Sequence, residues 1–410
     1  MYIVIVIALI IALLCGSLIA AAFYYRTYHA IRNRQERLNN NMMSGLNLLL
    51  AVHQPLYDED KQVQLFDDDR DTVRLSKRFW GGYDVGVSKA YMERDSSVGA
   101  ILIGNQPDSM KWYAIWLADE DRPLSVTGKS RITGQVYLPK AGVRSAYVNG
   151  HGYEGAPGFL SKKHFESKRE LPGPDLLRVA EVDRAFEAGK GVRQLRSGTI
   201  VRSFGGKTDE YRYRTPLTIA GVSLSGNIII RCDSLLTIDS TSHLDNVMVF
   251  APAIVVRPGF RGRCQLFARD SIHIGDRATF SYPSMAALVR TSQEQVKIQG
   301  LIRFGRGCSF TGSILSWEKV PGITPPATDL GREGVFTGQI YTGQLGFGDK
   351  TVINGSVTCR RFFYVSGFTK FENYLVNVQI DANALSPFFS SSAVFPGALP
   401  RTKKVVLWLK

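Results

Sequence analysis

The chain has 410 residues, of which 44% are apolar and 21% charged, and a formal net charge of +14. That is ordinary globular composition with enough chain for a sizeable core, and it excludes a disordered or low-complexity protein. Five cysteines with no CxxC exclude a disulfide-dense scaffold and give no support to zinc, iron–sulfur or thioredoxin-like chemistry.

The first charged residue is Arg26, and residues 2–25 form an apolar run interrupted only by Gly16 and Ser17. Such a run makes roughly 36 Å of helix, enough to span a hydrocarbon core. A cleaved signal peptide would want a basic n-region and a shorter apolar stretch, so residues 1–25 are read as a lasting transmembrane anchor. Tyr24, Tyr25 and Tyr28 suit an interfacial belt. Arg26, Arg32, Arg34 and Arg37 follow the span, opposed only by Glu36, and this bias favours a cytoplasmic C-terminal bulk. Membrane lipid is the first expected partner, and the basic balance suits an anionic surface. No nucleic-acid motif accompanies it.

Residues 26–53 predict a juxtamembrane amphipathic helix. Ile31, Leu38, Met42, Leu46, Leu49 and Leu50 recur at helical spacing. Leu38, Met42, Leu46 and Leu49 form the stripe expected to meet a partner helix, unless the chain's own next domain covers it. Pro55 and the acidic stretch 58–71, with Asp67, Asp68, Asp69 and Asp71, break the helix. The stretch lacks a calcium-loop pattern and reads as a solvated linker. Residues 72–127 predict a small, largely antiparallel β-domain, with turns at Gly81–Gly82, Asp95–Ser97 and Asn105–Pro107.

From residue 128 onward one pattern recurs: ITGQV, LSGNI, FTGSI, FTGQI and INGSV. Its glycines are Gly134, Gly226, Gly312, Gly338 and Gly355. Glycine suits a corner where neighbouring backbones approach closely or φ is positive. A second register places Ile238, Val256, Ile274 and Ile298 at equivalent ends of four strand pairs. Together these predict a parallel β-helix, or solenoid, over 128–410. An antiparallel sandwich is the rival, since Asn149–Gly150 and Asn354–Gly355 are hairpin-type pairs. A basic insertion at about 160–216 interrupts the repeats. Within it Leu176, Leu177, Val179, Val182 and Phe186 predict a short helix ending at Gly189, either an excursion or a lid over one end. The final VVLWLK predicts an edge strand closing the other end.

Candidate active sites are few. His151 sits in Gly150-His151-Gly152, similar to the polygalacturonase-like hydrolases, but the accompanying aspartate pairs and the later Arg-x-Lys are missing. Gly206-Lys207-Thr208 lacks the upstream glycine of a phosphate loop. The corner aspartates Asp233, Asp239, Asp245 and Asp270 suit turn hydrogen bonds. No catalytic residue, cofactor or metal is expected.

The run from Trp80 to Val143, with WGGYDVGVSKAY, GAILIG and YLPKAGV, together with the span and SGLNLLL, resembles a bacterial family of single-pass membrane proteins with long β-rich domains. The resemblance carries no activity and implies the bacterial cytoplasmic membrane. The architecture loosely resembles bactofilins, membrane-associated β-helices that polymerise end to end, though those lack the span. The order of apolar helix, amphipathic helix and β-domain also resembles pilin-like subunits, without their early helix glutamate or a basic leader. The expectation is a mainly β, membrane-anchored structural or scaffolding protein of the envelope, not an enzyme, acting through a homo-oligomer or an envelope protein partner. A pilin-like component of a secretion or surface-fibre machine is the alternative. A carbohydrate-binding or carbohydrate-acting protein is the second, and it would show an aromatic row along one face.

Overall fold

The computed structural model describes residues 1–51, 57–65, 71–107, 112–161, 164–189, 195, 198–295, 297–367, 369–395 and 402–409. Pro55 and the acidic cluster Asp67, Asp68 and Asp69 lie outside them. The chain forms two compact units: Met1–Arg78 with Gly86–Ile101, and Phe79–Val85 with Leu102–Lys410.

In the first unit the anchor and the juxtamembrane helix are one uninterrupted helix, α1 (Tyr2–Ala51). Neither proline nor a capping residue divides it, so the helical ladder runs through the charged step at Arg26. Its sheet has the order β1 (Tyr57–Val63), β2 (Asp71–Trp80), β3 (Tyr83–Met92) and β4 (Asp95–Asn105). β1 and β2 are antiparallel. The second turn falls at Glu93–Arg94, with Glu93 at φ +53, rather than at the predicted Asp95–Ser97, which begins β4.

The second unit corrects the expected fold class. Its strands pair in parallel as predicted, apart from the antiparallel Thr369–Glu372, but the sheet is a closed barrel and not a solenoid. The long strands His243–Val256, Arg261–Ile274, Val335–Phe347 and Val352–Ser366 each pair along most of their length. Beyond Val352–Ser366 the neighbours come from both directions in sequence: Gln379–Asp381 pairs with its start and Thr369–Glu372 folds back on its end. Tyr113–Leu117, which the sequence placed in the antiparallel domain, pairs with the same strand: Trp116 opposes Thr358 and Leu117 opposes Cys359. Gln135–Leu138 follows on Tyr113–Leu117, and Phe165–Glu166 on Gln135–Leu138. The hydrogen-bonded ladder thus joins segments far apart in sequence, where a solenoid stacks its coils in chain order.

The repeat glycines explain the register. Gly312 opposes Gly338, which opposes Gly355. Their φ values are +150, +132 and +147. A Cβ on any of the three would stand 1.9 Å from the carbonyl oxygen of the preceding rung. Gly226, at φ +92, meets Arg202 O at the same distance, and Gly134, at φ +119, would meet the Ala382 Cβ at 2.8 Å. The flanking apolar residues point inward, and Phe260, Phe280 and Phe310 make a core column with ring spacings of 5.2 and 5.3 Å. Ile238, Val256 and Ile274 are in register, but the next position is Phe304; Ile298 is exposed.

The insertion helix runs over Leu176–Glu187, N-capped by Asp175, whose side chain accepts from Leu177 N and Arg178 N. It does not lid an end. Phe186 meets Phe250 edge-on at 5.2 Å, and Phe250 stacks on Phe267 at 4.8 Å, so the helix lies on the outer side of the sheet. Arg178, buried, pairs with buried Asp84 and donates to Tyr83 O at 3.3 Å. Lys403 reaches Asp84 at 3.8 Å from the strand Lys403–Leu409. That strand runs beside residues 104–106, with Gln106 N donating to Thr402 O, and does not close the barrel.

Gly338→Ala is expected to cost about 3 kcal/mol or more, combining backbone strain with a clash that no side-chain rotation relieves. Gly173→Ala, where a Cβ would meet open space, is expected to stay within about 0.5 kcal/mol of wild type. Thermal melts of the detergent-solubilised chain compare the two.

Candidate functional surfaces and cleft

The two halves of α1 have different surroundings. Every residue from Tyr2 to Tyr28 is exposed, and the helix is long and apolar enough to cross a membrane. Leu38, Leu46 and Leu49 are buried, and Met42 is half-buried. The covering surface is the unit's own sheet. Gly45 lies so close that a Cβ would stand 2.3 Å from Ser88 Oγ and 2.8 Å from Leu75, and Gly99 leaves room for Met42 and Leu46. Arg34 pairs with Asp95 at 3.0 Å, and Ser97 with Asn39 at 3.0 Å. The stripe read as a partner helix is thus spent within the chain. Leu38, Met42, Leu46 and Leu49 hold the helix to its sheet, and the continuous exposed apolar run lies in the first half.

In the second unit the outward positions of three successive rungs carry aromatic rings. Trp116 stacks on Tyr137 at 4.4 Å and 21°, and Tyr137 on Phe165 at 5.1 Å and 24°. Tyr113 meets both Trp116 and Tyr137 edgewise or tilted, and its hydroxyl lies 2.8 Å from Thr358 Oγ1. Burial raises the Tyr113 phenol above its ordinary range, a hydrogen bond from Thr358 partly opposing it. Phe165 ends the row with 55% of its surface exposed. It lines a cleft of about 980 Å³ together with Trp112, Tyr153, Phe159, Gln135 and Asn383. Tyr113–Leu117 falls within the predicted 72–127 β-domain, and no local pattern indicates that it adjoins Gln135–Leu138.

Among the described residues no group of three or more His, Cys, Asp or Glu is placed to hold a metal ion. His151 is exposed, and its ring nitrogen lies 3.9 Å from Glu154. Asp239 accepts from Thr241 N at 3.0 Å and Thr241 Oγ1 at 2.7 Å, which holds its carboxyl below the usual range. Asp233, Asp245 and Asp270 face Arg212, Arg263 and Arg290. Burial raises the Asp329 carboxyl, against the Arg303 guanidinium 3.4 Å away. Cys232, Cys264, Cys308 and Cys359 are buried free thiols, and desolvation pushes each of them upward.

No family model matches the chain, and no curated protein matches it in sequence. Among solved structures it is similar to the competence-associated pilin ComZ from Thermus thermophilus, at 9% identity and a TM-score of 0.25, with 87% of each chain covered. A likeness at that level carries no argument about fold or function.

Leu46→Ala should cost about 2–5 kcal/mol of stability, as a buried leucine facing its own sheet, and a helix waiting for a partner would show almost no loss in thermal melts. A charged maleimide is expected to leave Cys232, Cys264, Cys308 and Cys359 unmodified in the folded chain and to label all four in urea, as read by intact mass spectrometry.

Proposed function

We propose that this chain is a membrane-anchored structural subunit of the bacterial envelope, pilin-like in build, that associates through the exposed half of α1. What supports the reading is the division of that helix. Its second half is covered by the first unit's own sheet, while residues 2–25 leave an apolar surface roughly 36 Å long with no protein against it. Lipid satisfies that surface in a resting subunit. The corresponding helices of other copies satisfy it in an assembly, where backbone polar groups are already paired within each helix. Among the described residues nothing in the first unit covers that surface, so one segment serves as anchor and as shaft. The head then works by what it displays rather than by chemistry.

A second reading, a fixed scaffold that stays in the cytoplasmic membrane, is favoured by Arg26, Arg32, Arg34 and Arg37, which bias the C-terminal bulk towards the cytoplasm. A surface fibre requires the opposite side. Protease treatment of intact spheroplasts separates the two. Digestion of the second unit supports the pilin-like subunit, and protection overturns it in favour of the scaffold.

Association is tested in membranes by single cysteines, with the native Cys15 and Ile7→Cys, Ile10→Cys, Ile11→Cys and Leu14→Cys in a Cys15→Ser background. Oxidation is expected to give disulfide-linked dimers at positions on one face of the helix, three or four residues apart. An absence of dimers at all five positions sinks self-association through α1.

A further inference from the structure

We propose that the cleft at the Phe165 end of the aromatic row binds a saccharide chain. Its lining includes both flat rings and neutral polar side chains: Phe165, Trp112 and Tyr153 together with Gln106, Gln135 and Asn383. Sugars present apolar C–H faces edged by hydroxyls that both donate and accept. Aromatic faces match the first and carboxamides the second. The row Trp116–Tyr137–Phe165 fixes the orientation of its last ring, because each ring is held by a backbone rung and by the ring beneath it. A stacking platform of this kind is rigid before any ligand arrives, so little ordering is left for binding to offset. At about 980 Å³ the cleft has room for several sugar rings.

The same lining excludes other ligands. Among the described residues no aspartate or glutamate lines the cleft, so a cationic ligand has no counter-charge there. The amides argue against a purely apolar ligand, since their desolvation would go uncompensated. A nucleic-acid strand needs a row of cations along its phosphates. Arg131 and His164 are the side chains able to carry positive charge that line this cleft among the described residues. The absence of a carboxylate pair also makes the site one for holding a glycan rather than cutting it.

The test is calorimetric titration of the detergent-solubilised full chain with chitohexaose, cellohexaose and hexagalacturonate. At least one is expected to bind with a Kd below about 1 mM. Phe165→Ala should weaken that binding about tenfold, and Phe165→Trp should retain it. Phe165 is more than half exposed, so Phe165→Ala is expected to melt with the wild type, which separates lost binding from lost folding. Gln135→Ala, also exposed and on the strand next to Phe165, gives a second probe and should likewise weaken binding. Failure of all three saccharides at millimolar concentration overturns the proposal, as does binding that Phe165→Ala leaves unchanged. Tighter binding of a deoxythymidine dodecamer, lost in Phe165→Ala, overturns it in favour of single-stranded nucleic acid.

Discussion

The second unit depends on how closely its backbones approach at one column of glycines. At Gly312, Gly338 and Gly355 the preceding rung's carbonyl oxygen occupies the volume a side chain would need. Any other residue there forces the rungs apart, and with them the hydrogen bonds on either side. The glycines therefore fix register, because a slip of one residue would put Thr311, Thr337 or Asn354 under the same oxygen. Register in turn decides which residues face inward, and the phenylalanine column and the outward aromatic row both follow from it.

Much of this was legible. Five short glycine motifs named positions of positive φ and close approach, although Gly312, Gly338 and Gly355 lie inside strands rather than at turns, and the spacing of Leu176, Val179, Val182 and Phe186 named a helix that the structure places within two residues of the predicted end. The closure was not legible. Tyr113–Leu117 and Val352–Ser366 each read as an ordinary strand, and no local pattern says that one lies on the other across some 240 residues. The chain-order assumption behind a solenoid was the error, and it also hid the aromatic row, whose members look unrelated until their rungs are adjacent. Ile298 misled for a simpler reason. It completed an even spacing of apolar residues, but the excursion at 291–300 carries it outside, and Phe304 takes its place in the core.

The first helix shows a different limit. Its amphipathic half announced that some surface must cover Leu38, Leu46 and Leu49, without saying which. The answer lies in Gly45 and Gly99, small enough to let helix and sheet close to contact. Their significance appears only once the partners are known, since a glycine in a helix otherwise reads as a weak point. The apolar half needs no such decoding, because no charged side chain interrupts it.

The closing of the barrel has a consequence for how the chain is made. Tyr113–Leu117 leaves the ribosome long before its partner strand 352–366, and Asp84 long before Lys403. Pairings so distant in sequence are slow to form and hold unpaired strand edges open while they wait. The N-terminal helix meanwhile is complete after the first fifty residues and is apolar enough to enter a bilayer at once. Synthesis thus proceeds with the strand edges of the second unit unpaired until the 352–366 strand has emerged, and protection against aggregation has to act during that interval.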